Sequence, residues 1–240
     1  YTGAFIGRLL QMNPVRQISE FFADARAGKL PNFSVIDPDF LSNDDHPSHD
    51  IRAGQAFAAS VYKALAESPQ WGRVLFVLTY DENGGFFDHV PPPPATDERV
   101  EFQRLGFRVP AFVIGPTVRR GHLETGLLEH VSVLSTLRTR YRVPALNARM
   151  AGTRDLAACI DPAFYKAPQA PPPGMPTVVM ARPSGPGGGA GVGVSSQPEL
   201  EQMIARGEIP ASKIVDRRAP RERYAAWLAE AESLGVVRLE

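Results

Sequence analysis

Two adjacent carboxylates, Asp81 and Glu82, end an apolar run that has the pattern of a buried strand. In open parallel sheets ligands gather at the carboxyl ends of strands, and two half-buried carboxylates repel each other unless a cation or a proton compensates them. A hard divalent metal ion does this directly, because it prefers oxygen ligands. The pair therefore indicates a metal site, although the same spacing also fits an acidic turn that is exposed to solvent.

The residues after this pair form a predicted tight turn. Asn83, Gly84 and Gly85 are typical turn residues, and two of them have no side chain to restrict the backbone. Such a turn would fold Asp88 and His89 back toward the carboxylates.

A second polar group, Asp44, Asp45 and His46, lies on a loop between a predicted strand and a predicted helix. Consecutive parallel strands deliver their carboxyl ends to one edge of the sheet, so His46 could meet Asp81 there. Histidine can donate to a phosphoryl oxygen or protonate a leaving group near neutral pH. The alternative is that the two aspartates cap the helix and that His46 is a surface residue.

His130 is ambiguous in the sequence. It shares a helical stripe with Leu134, Leu137 and Tyr141, which predicts a position in the core. It also lies in the first turn of the predicted helix, from which it could reach the edge of a site.

The remaining candidates for chemistry are weak. His49 and His122 match no pattern and are assigned to the surface, and the single cysteine, Cys159, is predicted to be a small buried apolar residue. The chain has neither a Gly-x-Ser-x-Gly elbow nor a phosphate-binding glycine loop with lysine. No nucleophile is therefore identified.

The elements that must position these residues alternate along the chain. Buried strands are predicted over 32–37, 73–81 and 108–115, and helices over 50–67 and 129–140. A third helix is predicted to bury one side of the C-terminal segment through Tyr224, Trp227, Leu228, Ala231 and Leu234, ending before Gly235. This order is typical of an α/β fold with a mainly parallel central sheet flanked by helices.

Composition limits the function classes. Lysine plus arginine equals aspartate plus glutamate at 26 each, which argues against a nucleic-acid partner. No apolar run approaches the roughly 18 residues that indicate a membrane span, so no transmembrane segment is predicted. The predicted domains are 1–166, an α/β domain; 167–199, a Pro/Gly-rich linker or long loop; and 200–240, a helical tail.

The motifs resemble the bacterial phosphoesterase family, within the alkaline phosphatase superfamily, that contains phospholipases C and an acid phosphatase. The similarity runs from about Phe21 to Arg149. Its main motif is YDENGGFFDHV at 80–90, supported by AGKLPNFS at 27–34, DDHP at 44–47, SPQW at 68–71, GFRVP at 106–110 and EHVS at 129–132.

The resemblance implies three kinds of site residue. They are the metal ligands Asp81 and Glu82, the catalytic histidines His46, His89 and His130, and the supporting carboxylates Asp45 and Asp88. One or more divalent ions are implied as cofactor, whether calcium, manganese, magnesium or zinc. A Glu-Asn metal-binding pair and a serine or threonine nucleophile are expected upstream of Tyr1, which would make this chain the C-terminal half of its domain. A periplasmic or secreted location is also implied.

Two hypotheses follow. The first is metal-dependent hydrolysis of a phosphoester or phospholipid, of phospholipase C or acid phosphatase type, with the N-terminal half of the domain as partner. The second is a non-catalytic binding module that meets a partner through the Pro/Gly-rich segment and the C-terminal helix. A sulfatase is a minor alternative, since a formylglycine precursor motif is absent near Cys159.

Overall fold

The computed structural model describes residues 16–39, 42–47, 49–172, 174–180, 206 and 220–240. The helices in this part are α1 (Ile18–Ala27), α2 (Ile51–Ala66), α3 (Val131–Tyr141), α4 (Ala148–Gly152) and α5 (Pro220–Ser233). The strands are β1 (Phe76–Thr79), β2 (Ala111–Ile114), β3 (Val178–Met180) and β4 (Val237–Leu239). Single 3₁₀ turns cover Trp71–Arg73, Val100–Phe102, Leu156–Cys159 and Pro162–Tyr165. The fold class is therefore mixed α/β, as predicted.

The chain forms two compact units. The first combines Tyr1–Trp71 with Pro172–Glu240, and the second is the continuous stretch Gly72–Pro171. The domain boundaries predicted at 166 and 199 stay a prediction, and most of the predicted linker lies outside the described residues.

Unit 1 is built on helices α1, α2 and α5. Its core includes Phe22 and Ala25 of α1 and Ala64 of α2, and the half-buried Leu234 packs against them from the segment after α5. Strand β3 pairs in parallel with β4, with Val178 opposite Val237. As predicted, α5 buries an apolar side and is followed by a left-handed glycine, Gly235, at φ 71°.

Helix α2 forms where the sequence predicts it. The Asp50 side chain caps its N-terminus by accepting from the Arg52 backbone N–H at 3.1 Å. The helical spacing of Ile51, Phe57, Val61 and Leu65 predicts the buried side. The last three are buried, whereas Ile51, in the first turn, is exposed. The cap is Asp50 rather than Asp44 or Asp45, so the interpretation of those two residues as helix caps is wrong.

Two of the short motifs meet in unit 1. Gln70 accepts from the Leu30 backbone N–H at 2.8 Å and donates from its side-chain amide to the Leu30 carbonyl at 3.1 Å. Gly28 ends α1 at φ 67°, and a Cβ built on it would lie 3.3 Å from the Pro69 ring. The motifs at 27–34 and 68–71 thus hold the end of α1 against the end of α2.

Unit 2 contains the hairpin of β1 and β2. The two strands are antiparallel, with Phe76 opposite Ile114 and Thr79 opposite Ala111. Cys159 of the same unit is buried as predicted, and its carbonyl accepts from the Arg119 N–H at 2.9 Å.

The structure corrects the predicted strands. Residues 32–37 are extended but pair with no strand in the described part of the chain, and Phe33 and Val35 are exposed. Proline on both sides, Pro31 and Pro38, removes backbone donors that a ladder would need. An apolar, β-branched run favours a strand, but it does not supply the neighbour that a strand requires. The βαβ unit predicted here is therefore absent from the described residues.

The mainly parallel central sheet is not what the described residues form. They form two two-stranded sheets, and β1 and β2 run in opposite directions. Parallel neighbours need a long crossover, usually a helix, whereas residues 80–110 contain only the 3₁₀ turn Val100–Phe102. The strands are also less buried than predicted, since Ala111 and Phe112 are exposed.

Helix α3 presents a different side to the core than its apolar stripe predicts. Leu134 and Tyr141 are exposed and Leu137 is half-buried, whereas Ser132 and Ser135 are almost fully buried. The small hydroxyls are satisfied by the backbone: the Ser135 hydroxyl donates to the Met150 carbonyl at 3.2 Å. Close approach of α4 thus decides which side of α3 faces inward.

Candidate functional site

The acidic loop of unit 2, residues 80–90, begins directly after β1. Asp81 and Glu82 are both exposed there. The Glu82 backbone N–H donates to Asp81 Oδ1 at 3.0 Å, and the Gly84 N–H donates to Glu82 Oε2 at 2.6 Å. The two carboxylates are therefore held by local backbone donors at a position that a cation can reach from solvent.

The loop contains the predicted glycine turn. Gly84 and Gly85 have φ values of 66° and 75°, in the left-handed region that favours glycine. Asn83 Nδ2 donates to the Phe86 carbonyl at 2.7 Å, and the Phe86 N–H donates to the Asn83 carbonyl at 3.2 Å. These two hydrogen bonds fix where the chain turns.

Asp88 is bound by Arg108, an arginine that no sequence pattern identifies as a site residue. Arg108 donates to both carboxylate oxygens of Asp88 at 2.7 Å, and the Val90 N–H donates to Oδ1 at 3.0 Å. The Arg108 guanidinium, followed by the Val90 N–H, holds the pKa of Asp88 well below its usual range. The available signal was the GFRVP motif, which contains this arginine but does not identify its partner.

His89 and His130 occupy different places around the loop. His89 is exposed, with Nδ1 3.8 Å from Asp88 Oδ1. His130 is also exposed, and its Nε2 donates to the Tyr80 carbonyl at 2.7 Å. A neutral His130 ring in this arrangement keeps Nδ1 as an acceptor. The interpretation of His130 as a core residue is therefore wrong, and the structure brings it to the backbone next to Asp81.

The turn over residues 42–47 and 49 carries the other predicted site residues, in unit 1. Asp44 is buried, and its Oδ1 accepts from the His46 backbone N–H at 2.9 Å and contacts His49 Nδ1 at 2.5 Å. The His46 ring is exposed, with Nδ1 3.1 Å from the Pro47 carbonyl. His49, assigned to the surface, is instead half-buried beside Asp44. Buried Asp44 thus shapes the turn that presents His46.

Asp45 lies against the first turns of α2. Its Oδ2 accepts from Gln55 Nε2 at 2.9 Å. A Cβ built on Gly54 would lie 2.0 Å from Asp45 Oδ1 and 2.9 Å from the Asp44 carbonyl carbon. Only glycine leaves room for this carboxylate, so the turn requires glycine at position 54.

The predicted meeting of His46 with Asp81 relied on parallel strands that end at one sheet edge. The described residues have no strand before His46, and the turn belongs to unit 1 while the acidic loop belongs to unit 2. That argument therefore does not hold.

The predicted site residues of the acidic loop and of the turn that carries His46 offer carboxylates and imidazoles. No three His, Cys, Asp or Glu side chains of the described ranges gather into a group that could hold a metal ion. Asp81 and Glu82 nevertheless fit a hard cation as part of a donor set, because both are accessible carboxylates. Burial raises the pKa of the Cys159 thiol, which disfavours the thiolate that a nucleophile needs.

Helices long and apolar enough to cross a membrane do not occur among the residues that the structure describes.

Comparison with known proteins places these features in a family context. The model of the phosphoesterase family matches residues 7–144. Non-specific phospholipase C4 of Arabidopsis thaliana is 42% identical over 149 residues, which cover 52% of this chain and 28% of that protein. Phospholipase C A of Mycobacterium tuberculosis is 34% identical over 148 residues, covering 53% and 28%. The chain thus matches less than a third of the length of either relative.

Proposed function

Since the chain belongs to the phosphoesterase family, we propose that it is part of a metal-dependent phosphoric ester hydrolase of phospholipase C or acid phosphatase type. The observation that carries the proposal is the acidic loop. Two accessible carboxylates, Asp81 and Glu82, directly follow β1 inside the matched region. The names of the relatives, phospholipases C, support a phosphoester or phospholipid as substrate.

The proposed metal ligands are Asp81 and Glu82. Calcium, manganese or magnesium suits an all-oxygen set, and a histidine joining it would favour zinc. A bound divalent cation would supply charge stabilisation at a phosphoryl oxygen and activation of a nucleophile. Asp88 and Asp45 are proposed to support the site: Asp88 binds Arg108 beside His89, and Asp45, beside His46, accepts from the Gln55 side chain.

The histidines are proposed to act on protons and charge. His46 presents an exposed ring from a turn that Asp44 holds, so it can donate to a phosphoryl oxygen. His89 is exposed beside Asp88 and could exchange a proton with a leaving group. His130 is proposed to orient the start of the acidic loop through the Tyr80 carbonyl while its Nδ1 accepts a proton.

The attacking group is proposed to be a hydroxyl from a part of the protein outside these 240 residues. The basis is that the relatives are more than three times as long as the region they share with this chain. We likewise propose that the complete domain has an alkaline phosphatase-like, mainly parallel sheet, and that the protein is periplasmic or secreted.

The test is Asp81→Asn in a protein that includes the rest of the domain. We expect metal content by elemental analysis, and hydrolysis of p-nitrophenyl phosphate and p-nitrophenyl phosphorylcholine, to fall together while the circular dichroism spectrum is unchanged. Glu101→Gln is the matched control, since Glu101 is an exposed carboxylate of the same unit. Unchanged metal content in Asp81→Asn would show that the ligand assignment is wrong. If the parent protein showed neither metal binding nor turnover, that result would favour the binding-module alternative.

A further inference from the structure

The start of α3 is fixed at Glu129, the residue before His130. The Glu129 backbone N–H donates to the Ser132 hydroxyl at 3.0 Å, and the Ser132 N–H donates to the Glu129 carbonyl at 2.8 Å. The Glu129 carboxylate is held as well, because the Thr153 hydroxyl lies 2.6 Å from Oε1 and Arg149 Nη1 lies 3.4 Å from Oε2. Both the backbone and the side chain of Glu129 are therefore tied to their surroundings in unit 2.

Arg149, in α4, connects Glu129 to a third segment of the same unit. Its Nη2 donates to the Phe102 carbonyl at 2.8 Å, and its Nε donates to Asp97 Oδ2 at 3.3 Å. The Arg149 side chain is only 15% exposed, and Asp97 and Glu129 are shielded to a similar degree. Solvent and salt screen such ion pairs weakly. The planar guanidinium can face three acceptors in different directions, which a lysine ammonium on its flexible stem does less well.

This network ends one residue from a proposed functional group. His130 has helical backbone angles, φ −52° and ψ −38°, so its backbone continues that of α3. The direction of a helical side chain follows from the position of its turn. The His130 ring reaches the Tyr80 carbonyl, to which Nε2 donates at 2.7 Å, directly before Asp81. A shift of the first turn would therefore move the ring off this carbonyl.

We propose that Arg149 and Glu129 are positioning residues, which hold the His130 imidazole on the Tyr80 carbonyl and leave its Nδ1 as the acceptor. The inference rests on the proposed function, in which His130 orients the start of the acidic loop and takes up a proton. It adds two residues to that site, both of which act through His130. The shielded ion pair is what makes this arrangement rigid.

The first experiment measures the hydrogen bond of His130 in the 240-residue chain, without reference to hydrolysis. Exchange of the His130 Nε2–H with water is followed by ¹⁵N NMR at a pH where the ring is neutral, and the signal is assigned by its loss in His130→Gln. We expect exchange at least about tenfold faster in Arg149→Gln, because the hydrogen bond to the Tyr80 carbonyl opens more often.

Two further variants make the result specific. Thr153→Val keeps the branched shape and removes the hydroxyl next to Glu129, so it should also speed the exchange. Arg154→Gln is the matched control, since Arg154 pairs with Glu124 at 3.6 Å in the same unit. It should leave the exchange unchanged. If Arg149→Gln does not fold, as judged by circular dichroism, Thr153→Val decides by the same measurement.

The second experiment measures turnover of p-nitrophenyl phosphorylcholine by a protein that includes the rest of the domain. A misplaced His130 should lower kcat about 10- to 100-fold in Arg149→Gln. KM should change little, because the lost contacts position a group for the transition state rather than bind the substrate. Arg154→Gln should keep both constants.

The two experiments separate this inference from the proposed function. Exchange like that of the parent in both Arg149→Gln and Thr153→Val would overturn the inference, whatever happens to turnover. Equally fast exchange in Arg154→Gln would also overturn it, because a general loosening of unit 2 would then explain the effect. Faster exchange with full turnover would support the positioning of His130 and refute the part in the reaction proposed for it.

Discussion

The Asp88–Arg108 pair shows how a carboxylate in an acidic loop can be structural. Both oxygens of Asp88 are used by one guanidinium, and the Val90 N–H adds a third hydrogen bond. Asp81 and Glu82 have only backbone donors from their own turn in the contacts described above. Neighbouring carboxylates of one motif therefore have different environments: Asp88 is bound by an arginine, and the other two, the proposed metal ligands, are exposed.

This difference predicts a pH dependence. Because the pKa of Asp88 is lowered in the folded chain, its ion pair stabilises the loop above the unfolded-state pKa of about 3.9 and is lost as pH falls through the lower folded value. A ¹³C NMR titration should show Asp88 still ionised at pH values where ordinary aspartates protonate. Arg108→Gln should return its titration toward the ordinary range. Titration of Asp88 near 3.9 in the parent chain would contradict the ion pair.

At the scale of elements, Gly54 links a helix to the turn that carries His46. Glycine inside a helix usually costs about 1 kcal/mol relative to alanine. Here the missing Cβ makes room for the Asp45 carboxylate and the Asp44 backbone. Gly54 therefore lowers the intrinsic stability of α2, but its missing Cβ allows the loop before the helix to pack closely.

Gly54→Ala should consequently destabilise unit 1. The methyl group meets backbone as well as a side chain, so we expect a loss of about 1–3 kcal/mol in the free energy of unfolding, measured by urea titration. The amide resonances of Asp45 and His46 should shift at the same time. Gly72→Ala is the control, because nothing lies within 4 Å of a Cβ built there. A rise in stability would mean that the turn can move away at little cost.

Elements that depend on local signals could be predicted from the sequence. The start of α2 at Asp50 and the glycine after α5, Gly235, follow from capping chemistry. Apolar spacing predicts the buried sides of both helices, except that Ile51 is exposed. The turn at Gly84 and Gly85 follows from the same local rules.

Features that depend on distant partners could not be predicted. Residues 32–37 have the composition of a strand but no partner in the described part of the chain, and the direction of β2 against β1 is set by the path of 80–110. Arg108 lies 20 residues from Asp88, so no local pattern identifies it as the partner. The inward side of α3 is decided by the close approach of α4 to Ser135, which outweighs the apolar character of Leu134.

At the scale of the whole molecule, unit 1 joins two stretches that are far apart in sequence. The segment 220–240 lies outside the family match at 7–144, yet α5 packs against α2, and Leu234 covers the core of α1. An ion pair between Arg26 and Glu230 lies at the surface of the same contact. The C-terminal helix is therefore part of the unit that holds the matched helices.

Removing the buried indole ring of α5 should lower the stability of unit 1. Trp227 is 5% exposed, so Trp227→Ala should lower the free energy of unfolding by about 3–5 kcal/mol. Glu230→Gln should cost no more than about 1 kcal/mol, because its ion pair with Arg26 is partly exposed. Trp71 becomes the single tryptophan in the first variant and reports by fluorescence on unit 1. Equal effects of the two substitutions would show that α5 is not packed as described.

The divided sequence of unit 1 has a consequence for its synthesis on the ribosome. Helices α1 and α2 leave the exit tunnel while the residues that cover them are still untranslated, whereas unit 2 is one continuous stretch, Gly72–Pro171. Until Leu234 has been synthesised, Phe22 and Ala25 therefore stay accessible to chaperones and to other nascent chains. The order of translation makes the earliest part of the chain the last to complete its unit.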